Sequence, residues 1–115
     1  MTIEDLQTIC YQLPGVTESI KLWDHLCFDV GNKTFLYTYP DRVPPSASFK
    51  VPAEDFDELT AREGLQPNPY AARYNWIVAT DINCLTKKEW EHYIRQSYDL
   101  ILAKLPFKMK KGLGL

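Results

Sequence analysis

The chain has 115 residues, a length typical of one domain and too short for two. Apolar residues make up 45% of it and aromatic residues 13%, which excludes wholesale disorder and predicts a packed core. The net charge of −2 argues against strong non-specific DNA binding, which usually needs a clear excess of positive charge.

The N-terminal segment predicts a helix that runs to about Leu13. Thr2 is a suitable cap, and Glu4 and Asp5 favour the positive end of the helix dipole. Pro14-Gly15 then ends the helix. Its apolar residues recur at the spacing of one buried face: Ile3, Leu6, Cys10 and Leu13.

The clearest hairpin of the chain follows this helix. Leu26–Val30 and Thr34–Tyr39 alternate between two faces, and Gly31-Asn32 between them supplies turn chemistry. Pro40–Pro45 is expected to be a loop, because its prolines cannot donate to a sheet ladder. Ser48–Val51 predicts a third strand.

The middle of the chain predicts a helix and then one or two strands. Ala53–Arg62 is expected to form a short acidic helix behind a proline, which suits a helix start. Trp76–Ala79 is a strong strand. A short partner strand is weakly indicated near Leu65 or Tyr74.

The last helix is predicted by a capping box, in which Thr86 caps and Glu89 reaches back. It is expected to end at about Leu105, before Pro106. Residues 108–115 are expected to be a flexible basic tail, so that residues 1–107 form the single domain. The helix carries an apolar stripe that must be covered: Trp90, Ile94, Ile101 and Leu105.

The predicted order of elements is α-β-β-β-α-β(β)-α. Consecutive hairpins favour an antiparallel sheet covered by helices, which is a two-layer α+β fold. We expect the strand of Trp76 and the helix of Trp90 to pack against each other in the core, because Trp76 and Val78 alternate and the stripe of the helix must be covered. Ser97 falls near the same stripe, and its hydroxyl is expected to bond the carbonyl of Tyr93 one turn back.

The N-terminus and the cysteines indicate a cytoplasmic protein. No apolar run approaches the roughly 20 residues that span a bilayer, and the acids of Met1–Asp5 do not suit a signal peptide. Cys10, Cys27 and Cys84 are odd in number and form no C-x-x-C pair. Reduced, mostly buried thiols and no membrane partner are therefore expected.

The sequence holds no motif for a metal, a cofactor or a catalytic centre. His25 and Cys27 lie two apart on a predicted strand and supply two of the four ligands of a zinc site, which Cys10, Cys84 and His92 would have to complete. Cys–His nucleophilic catalysis lacks an orienting third group. Two ordinary strand residues are the simpler interpretation, and we expect no catalytic residue, no metal and no cofactor.

The candidates for nucleic-acid contact are four basic residues, with the lysines of the tail beside them: Lys33, Arg73, Lys87 and Lys88. Arg95 is excluded because Glu91 and Asp99 flank it at helical spacing. Residues 1–60 carry 10 acidic and 4 basic side chains, whereas residues 61–115 carry 5 and 9. Such asymmetry can mark a binding face in the second half.

Several segments resemble the MmcQ/YjbR family, and their order and spacing carry the resemblance over nearly the whole chain. These segments are Leu13–Val16, Trp23–Phe35, Phe49–Pro52, Gly64–Pro67, Pro69-Tyr70, Asn75–Ile77, Ser97–Ile101 and Leu105-Pro106.

The resemblance implies a two-layer α+β fold of order α-β3-α-β2-α, similar in shape to secretion chaperones. It also implies contact with double-stranded DNA through a wing-like hairpin, with Lys33 at the turn, and no catalytic residues. A protein-binding module of secretion-chaperone-like shape is the alternative, and an enzyme comes third. The positions of five basic residues in the fold distinguish the first two alternatives. A contiguous basic face would favour DNA, whereas scattered charges would favour a protein partner; the residues are Lys33, Arg73, Lys87, Lys88 and Lys110.

Overall fold

A computed structural model describes residues 1–21 and 25–114 of the chain. Within them the strands form one antiparallel sheet of order β1-β2-β3-β4-β6-β5. The elements in chain order are α1 (Ile3–Tyr11), β1 (Val16–Lys21), β2 (His25–Val30), β3 (Lys33–Tyr39), β4 (Ser46–Lys50), α2 (Ala53–Thr60), β5 (Leu65–Pro67), β6 (Trp76–Ala79), α3 (Lys87–Ala103) and α4 (Phe107–Gly112).

The local chemistry of the turns and caps confirms the predicted hairpin and the starts of the first and last helices. Gly31 and Asn32 both have positive φ, 56° and 63°, as a two-residue turn between twisted strands requires. A Cβ on Gly31 would also lie 2.6 Å from a terminal methyl of Leu105, so a larger residue there would displace this side chain where the hairpin meets the end of α3. Capping boxes open α1 and α3 at Thr2 and Thr86.

Strand β1 was not predicted, and it changes the order of elements. Four strands rather than three precede α2, and the weakly indicated partner of β6 lies at Leu65–Pro67. The exposed side chains of β1 explain why the sequence did not indicate it: among the described strands it pairs only with β2, and none of its residues is fully buried. Trp23, which belongs to the hairpin segment of the resemblance, lies outside the described residues.

Part of the segment 108–115, which is expected to be a flexible tail, is helical in the structure. Pro106 stands at the N-cap of α4, which runs over Phe107–Gly112. Leu113 then packs against the core and lies over Gly15, so an apolar contact holds the segment to the domain. Among the described residues, no helix is long and apolar enough to cross a membrane.

The core lies between α1, α3 and one face of the sheet. The register aligns Phe28, Leu36, Phe49 and Ile77 in one row across β2, β3, β4 and β6, and all four are fully buried. Trp90 of α3 packs edge-on against Phe49, with ring centroids 5.6 Å apart. The indole N–H of Trp90 donates to the carbonyl of Ile82 at 2.7 Å, which satisfies its only polar group.

The predicted strand and helix do share one core, which holds Ile77 of β6 and Trp90 of α3, but Trp76 and Val78 are not the residues on the helix side. Ile77 occupies the row that faces α3, so its neighbours on β6 point to the opposite side of the sheet. There the ring of Trp76 lies 5.3 Å from that of Tyr37. Four consecutive buried residues on β6 leave no alternation from which the face could be read.

Ser97 does not bond the carbonyl of Tyr93, as its helical position had suggested. Its hydroxyl donates to the carbonyl of Phe35 at 2.6 Å and accepts from the amide N–H of Lys50 at 2.9 Å. The ladder between β3 and β4 ends at the pair Leu36 and Phe49, so these two backbone groups lie just beyond it. The serine therefore joins α3 to both central strands.

Truncation of Trp90 to alanine should reduce the free energy of unfolding by roughly 3–5 kcal/mol, because the ring is fully buried and its N–H bond is lost. Urea denaturation measures the loss. Phe107→Ala is the control, since Phe107 is 80% exposed and its removal should change stability by about 0.5 kcal/mol or less. Equal losses in both variants would contradict the assigned core.

Ser97→Ala should cost about 2–4 kcal/mol, since an unpaired buried N–H or C=O costs roughly 1–3 kcal/mol and here one of each loses its partner. Thr8→Ala is the matched control, because the exposed Thr8 hydroxyl bonds a carbonyl of its own helix, that of Glu4. Denaturant unfolding of the two variants measures the loss of unfolding free energy for a hydroxyl that joins α3 to the sheet and for one that bonds within its own helix. A loss below about 1 kcal/mol at Ser97 would show that the bridge is dispensable.

Candidate nucleic-acid interface

The sheet has a second face, opposite the helices, which we call the open face. The register places Cys27, Tyr37, Ser48 and Val78 in one row across it. The described helices of eight or more residues, α1, α2 and α3, pack against the core on the other side of the sheet, with the Phe49 row. Cys27 and Ser48 in this row are themselves fully buried, so the accessible side chains of this face lie around the row rather than in it.

The segment between β5 and β6 borders the open face and is held there by a buried polar chain. The side-chain amide of Asn68 donates to the hydroxyl of Ser48 at 3.0 Å, and that hydroxyl donates to the carbonyl of Ile77 at 2.8 Å. The amide oxygen of Asn68 also accepts from the backbone N–H of Tyr70 at 2.9 Å. This local turn fixes the backbone that carries Tyr70.

An aromatic pocket of about 280 Å³ lies on this face between the strands and the bordering segment. Tyr70 is 96% exposed beside it, while Tyr37 and Tyr39 are half-buried. The rings therefore present faces and edges to solvent rather than filling a core. The pocket is lined by His25, Tyr37, Tyr39, Asn68, Tyr70, Ala71 and Trp76.

A second depression, the lysine cleft, adjoins the aromatic pocket at Tyr37. It has a volume of about 340 Å³ and lies between the start of β3 and the end of α3. Lys33 and Lys104 approach it from these two elements, and both are exposed. Its lining consists of Lys33, Thr34, Tyr37, Ile101, Lys104 and Leu105.

Lys50 adds a third positive charge at this end of the sheet. Its ammonium group donates to the carbonyl of Tyr74 at 2.6 Å. Burial of the side chain, and then the nearby charge of Lys104, lower the pKa of Lys50. The pKa of Lys50 is therefore sensitive to the charge of Lys104, and an anion bound near Lys104 would offset that repulsion.

None of these three lysines takes part in an ion pair within residues 1–21 and 25–114. The pairs found there are Lys21 with Asp29, Arg62 with Glu89, and Arg95 with Asp99. The last confirms that Arg95 is neutralised on its own helix. Asp29 is on the open face, but the hydroxyls of Thr34 and Ser19 donate to its carboxylate at 2.6 and 2.9 Å.

The structure brings together only part of the basic set expected from the sequence. Lys33 lies in the lysine cleft, and Lys110 donates to the carbonyl of Ala103, next to Lys104. Arg73 lies 4.7 Å over the ring of Tyr74, whose carbonyl binds Lys50.

Lys87 and Lys88 do not join them. They lie at the start of the 17-residue α3, and Lys104 follows its end, roughly 25 Å away at 1.5 Å per residue. Lys87 instead lines a small cleft with α1, where it helps to lower the pKa of Asp5 after the bonds from Thr2. The expected basic face is therefore not contiguous over all its members.

The sequence did not predict five of the residues that meet at the candidate interface: Lys50, Lys104, Tyr37, Tyr39 and Tyr70. Tyr37 and Tyr39 are two residues apart on β3, so the sequence places them on one face of the sheet, but it does not show which face the helices cover. Lys50 and Lys104 are distant in the chain and meet only through the fold. Tyr70 lies in irregular backbone, where no period exists to interpret.

His25 and Cys27 lie on one strand without forming a metal or nucleophile site with each other. The imidazole of His25 lies edge-on to Tyr39 with centroids 4.5 Å apart, while the thiol of Cys27 donates to the backbone carbonyl of His25 at 3.5 Å. Burial raises the pKa of Cys27 to about 11, so it is a neutral thiol near pH 7. In the described part of the chain, no three His, Cys, Asp or Glu residues group as metal ligands.

Comparisons with known proteins agree with the resemblance drawn from the sequence. The sequence model of the YjbR family matches residues 11–100. The crystal structure of Deinococcus radiodurans protein DR2400, which has a DUF419 domain, is similar with a TM-score of 0.88 and 26% identity, over 99% of this chain and 88% of that one. No curated protein matches the chain.

Replacement of Lys104 by glutamine should raise the pKa of Lys50, because it removes the repulsion from a neighbouring ammonium group while burial remains. NMR titration of lysines labelled at the ε carbon measures it. Lys88→Gln, at the other end of α3, is the control and should leave the titration of Lys50 unchanged. The same curve for Lys50 in all three proteins would show that Lys104 does not approach it.

Proposed function

This chain belongs to the YjbR family, and we propose that it binds DNA without catalysing a reaction, through phosphate contacts in the lysine cleft. The observation that supports the proposal is the cluster of Lys33, Lys50 and Lys104, which has no carboxylate partner among the described residues. A phosphate backbone supplies the negative charge that such a cluster needs, and it releases counterions on binding.

The proposed binding is weak and sequence-tolerant. Few positive groups reach the cleft, and Lys50 is only 7% exposed, so it contributes through its field more than through direct contact. Phosphate contacts position a protein on nucleic acid but do not read its bases. Two to four contacts are consistent with the overall charge of −2.

The proposal of a non-enzymatic role is supported by the side chains of the open face. The thiol of Cys27 is neutral and bonded to backbone, so it is a poor nucleophile. Among the described residues, His25 has an aromatic neighbour, Tyr39, at 4.5 Å between ring centroids. A protein-binding module remains the second candidate, and the separate position of Lys87 and Lys88 favours it, because part of the basic set is scattered.

Fluorescence anisotropy with a labelled duplex should show binding in the range of about 1–100 μM at low salt. The logarithm of affinity should fall with the logarithm of salt at a slope of about −2 to −4, as two to four phosphate contacts require. Lys33→Glu and Lys104→Glu should each weaken binding and reduce the slope by about 1, since each removes a contact and adds repulsion.

Two charge changes away from the cleft provide the controls. Lys88→Glu makes the same reversal at the other end of α3, and Glu58→Lys changes an exposed acid of α2. Neither should weaken binding beyond the small effect of net charge. Absence of binding by the unmodified protein at about 100 μM and low salt would overturn the proposal and leave the protein-binding alternative in the lead.

A further inference from the structure

We propose that the preferred ligand of the open face is a single strand of nucleic acid, whose bases stack in the aromatic pocket while its phosphates lie in the lysine cleft. This inference rests on the proposed DNA binding and adds the form of the ligand. It also assigns a role to the tyrosines, which phosphate binding alone leaves unexplained.

The two depressions meet at one residue. Tyr37 lines both the aromatic pocket and the lysine cleft, so they are neighbours on one continuous surface. Lys50 is the cross-strand partner of Trp76, whose ring in turn contacts Tyr37. A charged site for a backbone phosphate thus lies directly beside a site for a planar ring, the combination found in proteins that bind single strands.

The exposure of the rings indicates that they bind a partner. Tyr70 is 96% exposed on backbone that Asn68 fixes, so its ring is presented to solvent in a defined place. Arg42 lies 4.6 Å over the ring of Tyr39, and Arg73 lies 4.7 Å over that of Tyr74. Each pair offers a planar cation beside an aromatic ring, on which a base can stack or to which a phosphate can bind.

A duplex fits this arrangement less well than a single strand. In a duplex the bases are paired and stacked inside, so a phosphate held by Lys33 and Lys104 leaves the aromatic pocket empty. In a single strand the bases are free to turn toward the protein. The pocket of about 280 Å³ lies just below the roughly 300–1,000 Å³ of small-molecule sites, a size that suits one flat ring rather than a side of a double helix.

The test compares labelled oligo(dT) with the duplex that it forms with oligo(dA), by anisotropy at fixed low salt. Single-strand binding should be tighter by about 5-fold or more, because one stacked base is worth that factor at least. Tyr70→Ala should weaken single-strand binding by about 5- to 100-fold and leave duplex binding unchanged. Tyr70→Phe should retain the affinity, since stacking needs the ring and not the hydroxyl.

Two further variants separate this inference from the one on which it rests. Tyr37→Leu should also weaken single-strand binding, and circular dichroism shows whether it folds. Tyr11→Ala changes a half-exposed aromatic residue of the helix layer and should have no effect.

The outcomes then distinguish two failures. If duplex binds as tightly as oligo(dT), and Tyr70→Ala changes neither while Lys33→Glu weakens both, base stacking is wrong and phosphate binding stands. If the unmodified protein binds neither probe, both proposals are wrong.

Discussion

The hydroxyl of Ser97 holds the helix layer to the sheet at the point where the ladder between β3 and β4 ends. It donates to the carbonyl of Phe35 and accepts from the amide of Lys50, both buried and both beyond the last ladder pair. The pairing of β2 with β3 shifts register at the same place, between Phe28 and Asp29, which leaves Phe35 without a cross-strand partner in β2. One side chain therefore satisfies the backbone where two irregularities coincide, and the ring of Phe35 can pack on Tyr98 of α3.

From this anchor follows the division of the sheet into two unlike faces. With α3 fixed over β3 and β4, Phe49 points into the core against Trp90, and its neighbour Lys50 must point to the open face. The amide that Ser97 binds belongs to that same lysine. The position of its charged side chain beside Trp76 is thus set by the packing on the other side of the sheet, which links the core to the proposed interface.

Sequence patterns predicted the features that depend on neighbours along the chain, and they missed those that depend on distant ones. The turn at Gly31-Asn32 and the capping box at Thr86 are specified within a few residues, and both are present. The partner of Ser97 lies 62 residues away at Phe35, so a rule based on the preceding helical turn chose the wrong carbonyl. Trp76 was assigned to the wrong face for the same reason: every residue of β6 is buried, and only pairing with β4 decides which of them meets α3.

The charge of the proposed interface shows why composition by segment was a poor guide to it. Residues 61–115 hold the positive excess, which on composition alone favours Arg73, Lys87 and Lys88 as contacts. Yet Lys33 and Lys50 come from the acidic first half, and only Lys104 comes from the second. A bound phosphate interacts mainly with charges within a Debye length of it, roughly 8–10 Å. The net charge of a stretch of sequence therefore says little about the potential at the site. Three lysines brought together by the fold make a positive site on an acidic protein, because the charge of the nearby Asp29 is offset by its ion pair with Lys21. Attraction of an anion to this site is therefore compatible with a net charge of −2, provided that the contact is local and the rest of the ligand stays away from the acidic surface.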